Sequence, residues 1–167
     1  MSATTHHETT INAPAGLPLI EIVREFDAEP ARVFRAHVDP ELFARWVGPR
    51  SIETRVEHWD ARTGGAWRYT AHRDGEELAA FYGSFHEVRA DGRLVQTFTW
   101  EGAPDEVALE VMTLEELPGG RTRLRGVSVG ESVEARDAMV ASGMETGVVE
   151  GYEKLDALLA ERSSAGR

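Results

Sequence analysis

Three histidines, His58, His72 and His86, are the residues of this 167-residue chain whose type and spacing come nearest to chemistry. On successive strands they could hold a divalent metal or relay protons, provided the rings met at one depth on one face. His72 shares strand parity with Arg68, which turns it outward, so convergence is not expected and no metal is assigned. Asp60 and Arg62, two apart on an extended run, could orient a polar group through charge-assisted hydrogen bonds. Beside Gly64-Gly65 they read more simply as an ion pair that locks a turn. Glu110, on a central strand, could be a general base if burial raised its pKa. Arg123 and Arg125 on the next strand supply the simpler account of a cross-strand charge pair. His37 reads as a helix-surface residue, and His6 and His7 fall in an N-terminal tail that preorganises nothing. No Ser-His-Asp order, phosphate loop, dinucleotide glycine signature or zinc-helix motif occurs. No catalytic residue and no cofactor is therefore assigned.

The totals narrow the classes further. The length suits one domain with one core. A net charge of −11 with 28% charged residues and no basic patch argues against nucleic acid and against anionic membrane as partners. The absence of cysteine removes disulfides, thiolate metal sites and cysteine nucleophiles, and fits a reducing compartment. No run has the length of a signal peptide or a membrane span, so the reading is a soluble cytoplasmic protein without membrane insertion.

The elements that must position these side chains follow from punctuation and periodicity. Residues 1–16 lack periodicity and read as a disordered or loosely ordered tail, residues 17–162 as a single domain, and residues 163–167 as a C-terminal tail. Residues 17–26 alternate as a first strand. Pro30, and then Asp39-Pro40-Glu41, open two short helices, with aspartate as the cap and proline at the first helical position. After Gly48-Pro49 the turns become Gly64-Gly65, Asp74-Gly75, Asp91-Gly92 and Gly119-Gly120, which is hairpin chemistry. They separate expected strands at 52–60, 66–73, 77–88, 93–100, 106–117 and 121–129, giving about seven strands in an antiparallel meander. Residues 132–162 then read as one long amphipathic helix. Gly143, Gly147 and Gly151 lie on one ridge of it, where each glycine costs ~1 kcal/mol against alanine. Such a ridge serves close backbone packing or leaves room for a ligand.

Layout and local motifs together resemble a known family. Asp60-Ala-Arg62-Thr-Gly64-Gly65-Ala-Trp67-Arg68, Asp39-Pro40-Glu41-Leu42 through Trp46 and Pro49, Gly83-Ser-Phe85-His-Glu87-Val88, and Gly143-Met144-Glu145-Thr-Gly147 are similar to the activator of heat-shock protein 90 ATPase homologue family. That family lies in the START-like, or SRPBCC, superfamily. The resemblance spans residues 17–161 and rests on the joint order of motifs, none of them catalytic. It implies an α+β helix-grip fold: a curved antiparallel sheet wrapped around the C-terminal helix, with two small helices closing one end of a cavity. The chain departs from many relatives at Val47 and Val148, where those carry a second aromatic.

The functional expectation is binding of a hydrophobic or amphipathic small molecule between sheet and C-terminal helix, with no catalysis assigned. The expected lining is Phe34, Trp46, Trp67, Tyr69, Phe85, Phe98, Trp100, Met112, Met144, Gly147 and Val148, an apolar wall with few polar tips. With that cavity in view, the glycine ridge is read as bordering ligand space. The resemblance also implies two alternatives: a chaperone ATPase-regulating module, whose mark would be an exposed apolar patch, and a cavity enzyme of cyclase or hydrolase type. Ligand identity and oligomeric state are not encoded in any motif.

Overall fold

The computed structural model describes residues 7–161. Eight strands form one antiparallel sheet: β1 (Thr10–Asn12), β2 (Leu19–Phe26), β3 (Glu53–Trp59), β4 (Ala66–Arg73), β5 (Glu76–Arg89), β6 (Arg93–Trp100), β7 (Ala108–Leu117) and β8 (Arg121–Val129), in the order β1-β2-β8-β7-β6-β5-β4-β3. Helices α1 (Pro30–Val38) and α2 (Pro40–Trp46) follow β2, while α3 (Val133–Ala141) and α4 (Met144–Ala160) follow β8. This is the helix-grip arrangement: α4 lies across the inward face of the sheet and α1 and α2 cover one end. Register shifts at Val56/His58, Ala71/His72 and Phe85/Glu87 fall in the β3–β6 half, where bulges add the bend a curved sheet needs.

Local chemistry explains the helix starts. The Asp39 carboxylate accepts hydrogen bonds from the backbone N–H groups of Glu41 (3.0 Å) and Leu42 (3.4 Å), with Pro40 at the first helical position. Ser132 Oγ likewise accepts from Ala135 N at 3.0 Å and opens α3.

Three expectations are corrected. The C-terminal helix is two helices, because Gly143 sits at φ +88° and carries the left-handed turn that ends α3 and starts α4. It is therefore a cap and not part of a packing ridge. Among the described residues there are eight strands where about seven were expected: residues 10–12, expected in a loose tail, pair with Glu21–Val23 as a short edge strand. His7, expected to preorganise nothing, places Nε2 2.8 Å from Asp27 Oδ1. His6 and residues 162–167 lie outside the described residues.

The core fills the end of the grip under α1 and α2. Phe26, Val33, Phe34, Trp46, Phe85, Leu124, Tyr152 and Leu155 are buried there, and Phe43 and Trp59 pack against them. Trp46 stacks on Tyr152 at 5.9 Å between centroids and donates its indole N–H to Ala36 O. Trp59 donates its own to Val38 O. His37, expected on the surface, is buried edge-on to the Trp46 ring with Nδ1 2.8 Å from Val33 O. Burial lowers its pKa to about 4, so it is neutral at physiological pH. At the sheet side, Arg24 of β2 is 1% exposed and donates both Nη atoms to the Asp156 carboxylate of α4, which ties the helix to the sheet.

Candidate functional site

The inward face of the sheet is set by parity. Leu94 and Met112 point into the core, so Gln96 and Phe98 on β6, and Ala108 and Glu110 on β7, point the same way. Register then places Phe85, Gln96, Glu110, Ser128 and Ile20 side by side across β5, β6, β7, β8 and β2. The middle of this row is polar, Gln96-Glu110-Ser128, between the buried apolar side chains of Phe85 and Ile20.

Gln96 Nε2 donates to Glu110 Oε1 at 3.0 Å. Ser128 Oγ, directly opposite Glu110, is buried without a hydrogen-bond partner, as is the indole N–H of Trp67, a residue only 2% exposed. Part of Glu110 stays accessible, yet the protein packed around it desolvates the carboxyl and raises its pKa, a shift that the Gln96 hydrogen bond opposes without cancelling. Tyr69 and Tyr152 are pushed up from the ordinary phenol value, first by burial and then by the nearby Glu110 charge.

Aromatics cover the inward face on the β4–β6 side. Trp67 stacks on Tyr69 at 5.4 Å and meets Phe98 at 5.8 Å, and Phe81 bridges Tyr69 and Phe98 at 5.2 and 5.4 Å. On β7 and β8 the inward residues include the small Ala108, Gly126 and Ser128. A methyl group at Gly126 would meet only Ile22 and Leu124, its neighbours on the sheet, at 3.8 and 3.9 Å, and no atom of α4. Two open surface grooves, of about 370 and 350 Å³, lie elsewhere, one along α2 and β3 and one between α2 and the end of α4.

Of the expected lining, the structure brings Trp67, Tyr69, Phe98 and Met112 to this inward face, while Val148 packs on the core from α4. Phe34, Trp46 and Phe85 are in the close-packed core beside it. Met144 is part-exposed at the start of α4. Trp100 shares the parity but is 50% exposed, with its indole laid over Gly102 in the β6–β7 loop, and it walls nothing internal. Gly147 is also corrected: a methyl there would touch Pro49 at 3.5 Å, and one at Gly151 would come within 3.1 Å of Trp46 O. The glycine ridge receives the chain as it leaves α2 and does not border ligand space.

The other candidates separate. His58 and His86 are exposed, whereas His72 is buried on the outer face with Nε2 2.7 Å from Thr70 Oγ1. Among the described residues no group of three His, Asp or Glu side chains could hold a metal ion. Arg62 Nε donates to Asp60 at 2.9 Å in an exposed pair beside the Gly64-Gly65 turn. Glu110 does not pair with Arg123, which instead serves Glu115 and Glu25 across the outer face. Sequence reasoning missed Gln96 and Ser128. The signal for Gln96 was its place between Leu94 and Phe98 on the apolar parity of β6.

Glu110→Gln should reveal the raised carboxyl. A carboxyl whose folded pKa exceeds its unfolded value, about 4.3, contributes stability below that value and loses it as pH rises through the folded pKa. Gln keeps the acceptor for Gln96 and removes the titration. The variant is expected to gain stability over the parent as pH rises from 4 to 8, read by denaturant melts across that range. A difference that does not change with pH would show that Glu110 titrates like a solvated carboxyl.

Comparison with known proteins agrees with this architecture. A protein from Arthrobacter aurescens, solved by solution NMR, is 30% identical, with a TM-score of 0.82 over 93% of this chain and 94% of that one. Crystal structures of proteins from Chromobacterium violaceum (28% identity, TM-score 0.76, 87% and 99% covered) and Mycobacterium smegmatis (26%, 0.82, 93% and 99%) are similar. No curated protein matches the chain. No helix is long and apolar enough to cross a membrane among the described residues. The family model described as Activator of Hsp90 ATPase homolog 1-like protein matches residues 27–160, and the chain belongs to that family.

Proposed function

We propose that the protein binds a hydrophobic or amphipathic small molecule between the inward face of the sheet and the first turns of α4. The observation that carries this reading is the polar row Gln96-Glu110-Ser128 set in an aromatic wall, with the Trp67 N–H and Ser128 Oγ buried and unpartnered. Buried polar groups are nearly always hydrogen-bonded, and leaving one unmade costs about 1–3 kcal/mol. A few convergent polar groups in an apolar hollow are the usual make-up of a small-molecule site.

Native mass spectrometry of protein purified from its source should detect a retained small molecule, and Gly126→Leu should abolish retention. A Cβ at 126 meets only ordinary contacts with Ile22 and Leu124 and no atom of α4, so the fold is expected to survive, with a melting midpoint within a few degrees of the parent. Retention undiminished in a folded Gly126→Leu protein would remove the site from this location.

A second reading, a chaperone ATPase-regulating module, draws support from the exposed apolar side chains Val107 (41%) and Leu109 (43%) at the outer end of β7. A coupled ATPase assay with the chaperone of the source organism separates the two readings. Strong stimulation at stoichiometric protein would favour this one.

A further inference from the structure

The groove between α2 and the end of α4, about 350 Å³, is lined by Arg45, Arg50, Lys154, Ala157, Leu158 and Glu161. Of the chain's 18 lysine and arginine residues, Lys154 alone is lysine. Wherever else the chain carries a permanent cation it uses arginine, and what lysine adds is an amine that can lose its proton and act as a nucleophile. The surroundings of Lys154 favour that form. Its Nζ donates one long hydrogen bond, at 3.5 Å, to the carbonyl of Val47 at the C-terminal end of α2. Among the described residues it forms no ion pair, although Arg45 pairs with Glu161 and Arg50 lies 3.8 Å from Glu153. Glu150, one turn back on α4, accepts the backbone N–H of Arg50 at 2.9 Å. Burial, and then the charge of Arg50, lower the pKa of Lys154, and Glu150 opposes that shift without cancelling it. Arg50 itself presents an exposed guanidinium whose contact with Glu153 is too long for a hydrogen bond, so its donors are open to an oxyanion.

We infer that Lys154 is an acylation site, and that its donor is an acyl phosphate whose phosphate lies against Arg50. In the step, the neutral Nζ attacks the acyl carbon and forms the C–N bond. The bond from that carbon to the phosphate oxygen breaks, and the surplus proton of the amine goes to the departing phosphate. A neighbouring cation is one of the ways in which a lysine is activated as a nucleophile. An arginine that holds the leaving group brings the donor within reach of the same amine. The product is an amide, which keeps one N–H for the Val47 carbonyl and loses the positive charge, so the contact between α4 and the end of α2 survives the modification. This site lies apart from the inward face of the sheet and does not depend on what binds there.

Two acetyl donors separate the amine from the phosphate contact: acetyl phosphate, and p-nitrophenyl acetate, which carries no charge. Each is incubated at about pH 8, well below the ordinary lysine pKa, with the full chain. A synthetic, N-acetylated peptide of residues 150–158, treated separately, carries the same lysine without the groove. Peptide mass spectrometry reads acetylation at Lys154 apart from that at the α-amino group. With acetyl phosphate, Lys154 is expected to react at least about tenfold faster than the peptide lysine, a small part of what holding two reactants together can contribute. With the uncharged ester the advantage should be about threefold or less, because only the activation of the amine remains. Arg50→Gln changes an exposed side chain and should leave the melting midpoint near that of the parent. It is expected to reduce the advantage with acetyl phosphate to that with the ester. Lys154 reacting with acetyl phosphate no faster than the peptide, an equal advantage with both donors, or an advantage unmoved in a folded Arg50→Gln protein would each overturn the inference.

Discussion

Gly83→Ala is expected to destabilise the protein by about 3 kcal/mol, at the upper end for an added methyl group, because that methyl has nowhere to go. A Cβ at 83 would lie 2.0 Å from Thr97 O and 2.7 Å from Trp67 Cζ2, both far inside contact distance. One obstacle is backbone, so β5 and β6 must part. The other is the indole of the aromatic cluster on the inward face, so Trp67 must leave its stack on Tyr69. The bond from Ser84 N to Thr97 Oγ1 at 2.8 Å would be strained at the same point. Gly126→Ala is the control, since its methyl meets ordinary contacts, and it should stay within about 0.5 kcal/mol of the parent. Urea melts measure both, and near-ultraviolet circular dichroism reports the Trp67 environment. A Gly83→Ala protein as stable as the control would mean that the strands slide past one another at this point without cost.

Asp156→Ala is expected to cost about 3 kcal/mol, within the range for removing one partner of a buried ion pair. Arg24 is 1% exposed and would keep the Glu25 carbonyl at 2.8 Å, a long contact to Thr9 Oγ1 at 3.4 Å and the Phe26 ring 4.9 Å from its Cζ, none of them a counter-charge. The asymmetry of buried pairs gives the decisive comparison. Replacing both partners, as Arg24→Met with Asp156→Leu, should restore most of the lost stability, because no charge is left stranded. Guanidinium chloride would screen the pair, so urea is the denaturant of choice. A double variant no more stable than Asp156→Ala would show that the pair sets the geometry of α4 on the sheet and does not merely satisfy a charge.

Much of the scaffold could be read before any coordinates, because its signals are local. Asp39-Pro40 capped α2 as its chemistry required, and the glycine-bearing turns marked the β4, β6 and β8 strands at the observed bounds. Features decided by distant contacts could not be read. Gly143 and Gly151 repeat at the same helical spacing, yet one caps a helix at positive φ and the other packs on Trp46 O. Nothing in their flanks distinguishes the two roles. β1 is three residues long and exists because β2 offers it an edge. At the site the aromatic wall was legible from composition, but the polar row was not. Glu110 has arginines two strand positions apart on β8, which suggested a partner, and only the register of β7 on β8 sets it opposite Ser128 instead.

The sheet order has a consequence for how the chain is made. β2 pairs along its whole length with β8, Leu19 against Val129 and Phe26 against Thr122, while every strand between them pairs with a neighbour in sequence. The meander from β3 to β8 can zip as it emerges from the ribosome, but β2 and the N-terminal edge have no place to dock until β8 is synthesised. At about 5–20 residues per second that wait is on the order of ten seconds, during which Ile20, Ile22 and Phe26 are unburied. The β2–β8 pairing is also the most non-local strand pairing among the described residues, which places the folding in the slow, millisecond-to-second class. Glu21 and Glu25 on the outward face, and Arg24 within the inward row itself, keep the waiting strand from presenting an uninterrupted apolar edge to another nascent chain.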